Sequence, residues 1–375
     1  MIGTIAVSLG ALRHNATLLR EAIAPARAAF VVKGNGYGHG LVETALAIEP
    51  FAARICVFSV EEALELRDGG ITAPILVLGP IPPHLLKDAL AAETEIALWN
   101  TNEYLRAVTG AARERITHAR VHIKINTDLN RLGLEPHELV DALEEYLRHP
   151  EIEIAGIYSH LASAEEIDSP YTMHQLSAFD RALTQAKPLL DSRQLAPVRH
   201  IAASAAAMLW PQTRLDMVRF GIALYGLWPS PQTRQALESP LDLRPALSYA
   251  SKVIVVRAIP AGASVGYGGA FHAPHDMRIG VVPVGYADGL PRLLSNKGHV
   301  LVDGAVCPIV GRIAMNMTEI DLTAARNARA GSKVTLIGRD GDAEVSADDW
   351  ASWSDTINYE IVTRLPSEIP REYVA

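Results

Sequence analysis

The sequence predicts an α/β protein: an N-terminal (β/α)8 TIM-like barrel over residues 1–238, then a C-terminal, mostly antiparallel β-domain over 239–375. Three observations predict it. Eight short β-rich runs alternate with helical patterns, which favours a closed barrel over an open sheet. The runs are continuously apolar, as strands buried on both faces must be. Beyond about residue 240 the helical patterns thin and six β-like runs follow one another. Strand spacing alone also accommodates a doubly wound sheet.

The first run, 29–33, is apolar through Ala29-Phe30-Val31-Val32 and ends in a lone Lys33. Glycines then alternate through Gly34-Asn35-Gly36-Tyr37-Gly38-His39-Gly40, and a helical pattern covers 41–48. This spacing is not the dinucleotide fingerprint, whose third interval differs. The second run, 55–60, leads into a helix that Ser59 caps and Glu61 and Glu62 favour in the first turn. Runs 74–78, 96–99 and 120–126 follow, and Pro136 sits early in the next helix. Runs 152–160, 200–203 and 217–222 complete the eight. The character changes near Trp228-Pro229-Ser230-Pro231. The β-like runs 247–259, 278–284, 298–302, 306–310, 317–322 and 333–336 come next, punctuated by Asp303-Gly304 and Asp340-Gly341.

Composition narrows the function classes. Apolar residues make up 49% and charged residues 20% of 375, as in a globular protein with a large core. A net charge of −8 excludes the electrostatic footprint of a nucleic-acid or anionic-membrane binder. Cys56 and Cys307 are the only cysteines, so a disulfide framework is excluded and a reducing compartment fits. The first residues lack a basic leader, and no segment is apolar for long enough to span a bilayer.

In a parallel barrel, chemistry sits at the carboxyl ends of the strands. Those ends carry Lys33 and Tyr37, the segment 126–133 with Arg131, Ser159-His160, His200 with Ser204, and Arg219 before Gly221-Ile222. A buried lysine loses its proton more readily than one in water, and a neutral amine condenses with aldehydes. Singly, His160 reads as a core histidine and Ser204 as a helix cap. Together they place cations, a histidine and a serine on one rim. No acid completes a Ser/His/Asp triad, and no cluster has metal-ligand spacing.

Over nearly its whole length the chain resembles the alanine racemases. The resemblance lies in Val32-Lys33-Gly34-Asn35-Gly36-Tyr37-Gly38-His39-Gly40, Arg131-Leu132-Gly133, Ser159-His160, Arg219-Phe220-Gly221-Ile222, Val265-Gly266-Tyr267-Gly268, Gly285-Tyr286-Ala287-Asp288-Gly289, Gly311-Arg312 and Ile357-Asn358-Tyr359-Glu360. It implies a barrel that binds pyridoxal 5′-phosphate (PLP), with a C-terminal β-domain.

The resemblance also implies roles. Lys33 carries PLP covalently and works on one face of the substrate carbon, and Tyr267 is the base on the other. His160 supports the phenol, with Arg219 beyond it. Arg219 faces the pyridine nitrogen, where many PLP enzymes have a carboxylate. Tyr37, Ser204, Tyr359 and the backbone N–H groups of Gly221 and Ile222 hold the phosphate. Arg131 lies near the phenolic oxygen of PLP and the substrate carboxylate, and Met315 contacts that carboxylate through its backbone. Tyr286 and Tyr359 line the access corridor, with Arg312 further out. Lys124 matches a lysine that is carbamylated in some members, or is a plain strand lysine. The implied working unit is a homodimer whose sites are shared, the partner's β-domain lending Tyr267, Tyr286, Arg312 and Met315.

Two segments depart from the family pattern. Asp128-Leu129-Asn130 stands where Gly-Met-Gly is common. The segment after Arg312 is Ile313-Ala314-Met315-Asn316, where Cys or Ser and then Asp are usual. Both bear on substrate preference. The leading expectation is a cytoplasmic enzyme interconverting L- and D-alanine for peptidoglycan, with no metal, nucleic-acid or membrane partner. The alternatives are a racemase of another small amino acid such as serine, a barrel-type PLP decarboxylase, and a non-catalytic PLP carrier.

Overall fold

The structure, a computed structural model, describes residues 3–100, 102–237 and 241–375. The domain boundary expected between 238 and 239, and the first two residues of the chain, lie outside the described residues. The chain forms two compact units. One comprises Leu12–Gly36 and Leu41–Arg244; the other comprises Met1–Ala11, Tyr37–Gly40 and Pro245–Ala375.

Strand β1 (Thr4–Ser8) belongs to the second unit. The first unit is built on β2 (Arg27–Val31), β3 (Arg54–Val57), β4 (Ile75–Val77), β5 (Thr94–Leu98), β6 (Ala119–Lys124), β7 (Ile152–Tyr158), β8 (Val198–His200) and β9 (Met217–Phe220). These eight strands are parallel, in the order β8-β7-β6-β5-β4-β3-β2-β9. The ring closes without a ladder, through Arg219 N–H to Ala202 O at 3.1 Å and Asp216 N–H to Arg199 O at 3.2 Å. All eight expected barrel strands form. Most end earlier than their apolar runs suggest, because polar residues that reach for the rim leave the ladder. Lys33 and His160 each lie two residues past a strand rather than inside it.

The helices start where local chemistry says they should. Ser59 accepts the Glu62 N–H at 3.3 Å and Glu62 returns a bond to Ser59 N–H, a capping box opening Val60–Asp68. Pro136 opens a 3-10 turn that passes into the helix Leu139–Tyr146.

In the second unit the expected run 247–259 divides into Leu247–Lys252 and Val255–Ile259, which enter different sheets. The larger sheet runs Ala305–Pro308, His299–Val302, Lys333–Asp340, Leu247–Lys252, β1 and Arg371–Val374. The smaller one is antiparallel, from Val255–Ile259 through Met277–Val282 to Thr318–Asp321. The helices Ala347–Trp353 and Asn358–Thr363 went unread in the sequence. Both are short, and only the first carries a capping box, at Ser346.

Candidate functional site

Lys33 starts a turn of the wrong hand. Gly34, Asn35 and Gly36 have φ of 65, 54 and 59°, with ψ near the left-handed helical value, and Gly36 N–H closes onto Val32 O at 2.8 Å. L-residues other than Asn and Asp resist this conformation, so alternating Gly and Asn is what makes it affordable. The Glu62 carboxylate pins the turn by accepting Gly34 N–H at 2.6 Å and Phe58 N–H at 2.9 Å. Burial, then the positive charge of Arg131, lowers the Lys33 pKa below the ordinary lysine value, against the opposing pull of Glu62. A neutral amine is therefore easier to reach at this strand end.

The other cations of the rim carry the same stress. Lys124, the buried last residue of β6, is lowered to about 8 by burial and by Arg131, Arg219 and Lys33. Arg219 is buried on β9 without a carboxylate partner among the described residues. Its Nη1 donates to His200 Nδ1 at 2.6 Å. Its Nη2 reaches Ser159 O at 2.8 Å, His160 Nδ1 at 3.3 Å and Ile201 O at 3.3 Å. Among the described residues no acceptor takes its Nε–H. Arginine only donates, so His160 accepts at Nδ1 and carries its proton on Nε2. Burial and the charges of Arg219, Arg131, Lys124 and Lys33 push His160 down to about 3, so its imidazole is neutral.

The ring of Tyr158 floors this cluster. His200 stacks on it with centroids 4.9 Å apart, and Arg219 and Lys124 lie over it at 5.3 and 5.7 Å. Ser204 begins the helix Ser204–Leu209, and its Oγ accepts the Gly221 N–H at 3.1 Å. Ile222 opens the 3-10 turn Ile222–Tyr225, where first-turn N–H groups lack partners within the turn.

Arg131 is exposed at the end of a loop whose departures from the family pattern now have a physical account. Asp128 and Asn130 both have positive φ, 69 and 54°, where glycine is the ordinary solution. Asn130 is held by paired bonds: its N–H donates to Asn126 Oδ1 at 2.9 Å, and its Oδ1 accepts from Asn126 Nδ2 at 2.8 Å. Asn130→Ala is expected to destabilise the fold by about 2 kcal/mol, from left-handed strain and one lost hydrogen bond. Asn130→Gly is expected to cost less than half of that. Urea unfolding of the two variants checks the order.

The second unit carries the remaining expected residues. Tyr37 is buried at φ 51°, its ring centroid 6.2 Å from that of Tyr359. Gly38 is obligatory, since a Cβ there would lie 2.0 Å from Val362 O. Tyr267 is 71% exposed on a 3-10 turn flanked by Gly266 and Gly268, both at positive φ. Tyr286 and Met315 lie on loops stitched by Tyr286 N–H to Ala314 O at 3.1 Å and Ala287 N–H to Met315 O at 2.9 Å. The Asn316 amide donates to Asp288 Oδ2 at 3.3 Å. Arg312 is exposed beside Gly268.

The barrel unit thus gathers Lys33, Lys124, Arg131, His160, His200 and Arg219, which sense one another's charge. Sequence reading passed over Arg54, Glu95 and His122. The available signal was a charged or imidazole side chain inside otherwise apolar strands. No group of three or more His, Cys, Asp or Glu side chains placed to hold a metal ion is found among the described residues. No helix among them is long and apolar enough to cross a membrane.

Comparison with known proteins agrees across the chain. Residues 7–229 match the family model for the alanine racemase N-terminal domain, and 246–373 that for the alanine racemase C-terminal domain. The alanine racemase of Symbiobacterium thermophilum is 40% identical over 369 residues, 98% of this chain and 96% of that protein. The Leptospira interrogans alanine racemase is 38% identical over 375 residues, covering 98% and 94%. Among solved structures, alanine racemase from D-cycloserine-producing Streptomyces lavendulae superposes with a TM-score of 0.92 at 34% identity, covering 100% of this chain and 97% of that one. Alanine racemase from Bartonella henselae, solved with covalently bound pyridoxal phosphate, gives 0.87 at 28% identity, with both chains fully covered.

Proposed function

This chain belongs to the alanine racemase family, and from that premise we propose that it interconverts L-alanine and D-alanine with PLP. The observation that carries the reading is the pairing of a lysine of lowered pKa at the end of β2 with a buried arginine, on the same rim, that has no carboxylate and keeps an Nε–H open. Those residues fit the group: an amine to bind an aldehyde, and a donor to meet a ring nitrogen.

When bound, PLP withdraws electrons from the substrate α-carbon and so weakens its bond to hydrogen. The rest falls to the protein. Lys33 would hold the group covalently in the resting enzyme and, once the substrate amine has taken its place, its freed amine would move a proton at one face of the α-carbon. The Tyr267 phenol oxygen moves one at the other face. A free phenol titrates near pH 10, so it needs support as a base. His160, neutral with its proton on Nε2, is suited to donate a hydrogen bond to that oxygen. Arg219 would donate at the ring nitrogen and could not accept there, which would leave that nitrogen unprotonated and favour proton return to the α-carbon. Ser204, Tyr37, Tyr359 and the Ile222 N–H would serve the phosphate, and the Gly221 N–H, which donates to Ser204 Oγ in the structure, would turn to it when the group is bound. Arg131 and the Met315 backbone serve the substrate carboxylate, and Tyr286 and Tyr359 narrow the access.

Exposure supports a homodimer with shared sites. Tyr267, Tyr286, Leu293, Met315, Met317 and Ile357 are large apolar side chains left uncovered on the β-rich unit. The product D-alanine suits peptidoglycan synthesis in the cytoplasm.

Incubation of the pure protein with L-alanine in deuterated water tests the reading. The expected result is a racemic mixture with deuterium at the α-carbon. Release of carbon dioxide would make it a decarboxylase. A yellow protein without turnover would make it a PLP carrier.

A further inference from the structure

Beneath Arg219 a single file of buried polar side chains crosses the barrel interior. His200 Nε2 lies 2.8 Å from His122 Nδ1, and His122 Nε2 lies 2.9 Å from Glu95 Oε2. Glu95 takes Arg54 Nε at 2.6 Å and Arg120 Nη1 at 3.1 Å. Both histidines are fully buried and the Glu95 side chain is 1% exposed.

The ends of the file give it one direction. Arg219 only donates, so His200 Nδ1 accepts and its proton sits on Nε2. His122 then accepts at Nδ1 and carries its own proton on Nε2, which the Glu95 carboxylate accepts. Reversing either imidazole would set two donors or two acceptors face to face among fully buried side chains, where an unmade bond is costly.

Two backbone features exist where the imidazoles meet. The β6–β7 register shifts between Val121 and His122. On β7 the facing residue is Gly156, where a Cβ would stand 2.2 Å from His122 Nδ1. A barrel that needed only filling would use apolar side chains at these positions.

We propose that Glu95, through His122 and His200, is a positioning residue for Arg219. The carboxylate at the foot of the file fixes both tautomers, which fixes the guanidinium plane and leaves its Nε–H for the cofactor's ring nitrogen. This role rests on the racemase reading, while the tautomers can be measured independently of it.

The test uses the holoenzyme labelled with nitrogen-15 histidine, with His122 and His200 assigned by substitution. Both rings are expected neutral, protonated on Nε2, between roughly pH 6 and 9. A proton on either Nδ1, or an imidazolium, would overturn the proposal. Gly156→Ala then breaks the file without removing a charged group, and Glu95→Gln weakens its foot. In the folded variants kcat should fall about 10- to 100-fold, the scale of a slightly misplaced group, with KM for alanine within about twofold. Pyruvate formed per racemisation should rise, and the visible band of bound PLP should shift. Unchanged kcat and pyruvate yield in a folded variant would reduce the file to a structural element. Should those two variants not fold, His122→Gln reads the same quantities. A wild-type protein that racemises nothing would sink the functional reading and leave the tautomer measurement standing.

Discussion

Lys33→Ala is expected to remove racemisation almost entirely, by more than about 10⁴-fold. Loss of a proton carrier alone is worth roughly 10² to 10⁴, and this variant also loses the covalent hold on the cofactor. The corresponding barrier increase is at least about 5 kcal/mol. Borohydride should fix PLP to the wild-type chain and not to the variant. A small primary amine should restore a fraction of turnover by standing in for the lost side-chain amine. The lowered Lys33 pKa adds a pH expectation. Raising pH through the folded-state value turns ammonium into amine, so the pH midpoint for capture of added PLP by the cofactor-free protein should lie below the range of a free lysine. Variant turnover within tenfold of wild type would remove Lys33 from the chemistry.

Tyr267→Phe is expected to slow racemisation by about 10² to 10⁴-fold, the usual worth of a placed acid–base group. The more telling outcome is its asymmetry. With one proton carrier left, exchange of the α-hydrogen with deuterated water should persist for one enantiomer without inversion, and fall for the other. PLP binding should be unchanged, because the phenol takes no part in holding the group. Equal loss of exchange for both enantiomers would mean that Tyr267 acts on something other than one face of the α-carbon.

Much of the barrel was legible because buried parallel strands leave a simple trace, an apolar run bounded by turns. Lys33 stood out as a single charge ending such a run, and Ser59 with Glu62 announced the helix that follows. The architecture of the other unit was read from its turns. Its membership was not, because β1 pairs with Leu247–Lys252 and Arg371–Val374, partners far away in sequence. Local pattern carries no information about pairing at that distance. The same limit hid the Glu95–His122 file. Each member is one polar residue in an apolar strand, and only the register of neighbouring strands brings them together. Tyr267 was found by motif alone. Nothing in an exposed tyrosine between glycines announces a base, since the residues proposed to activate it lie far away in the sequence.

The reversed coil after Lys33 also constrains how such a protein changes over generations. Three successive residues there favour glycine, asparagine or aspartate, and another side chain at any of them would cost roughly 1–2 kcal/mol of strain, so change in the segment draws on the stability of the fold before it touches the chemistry.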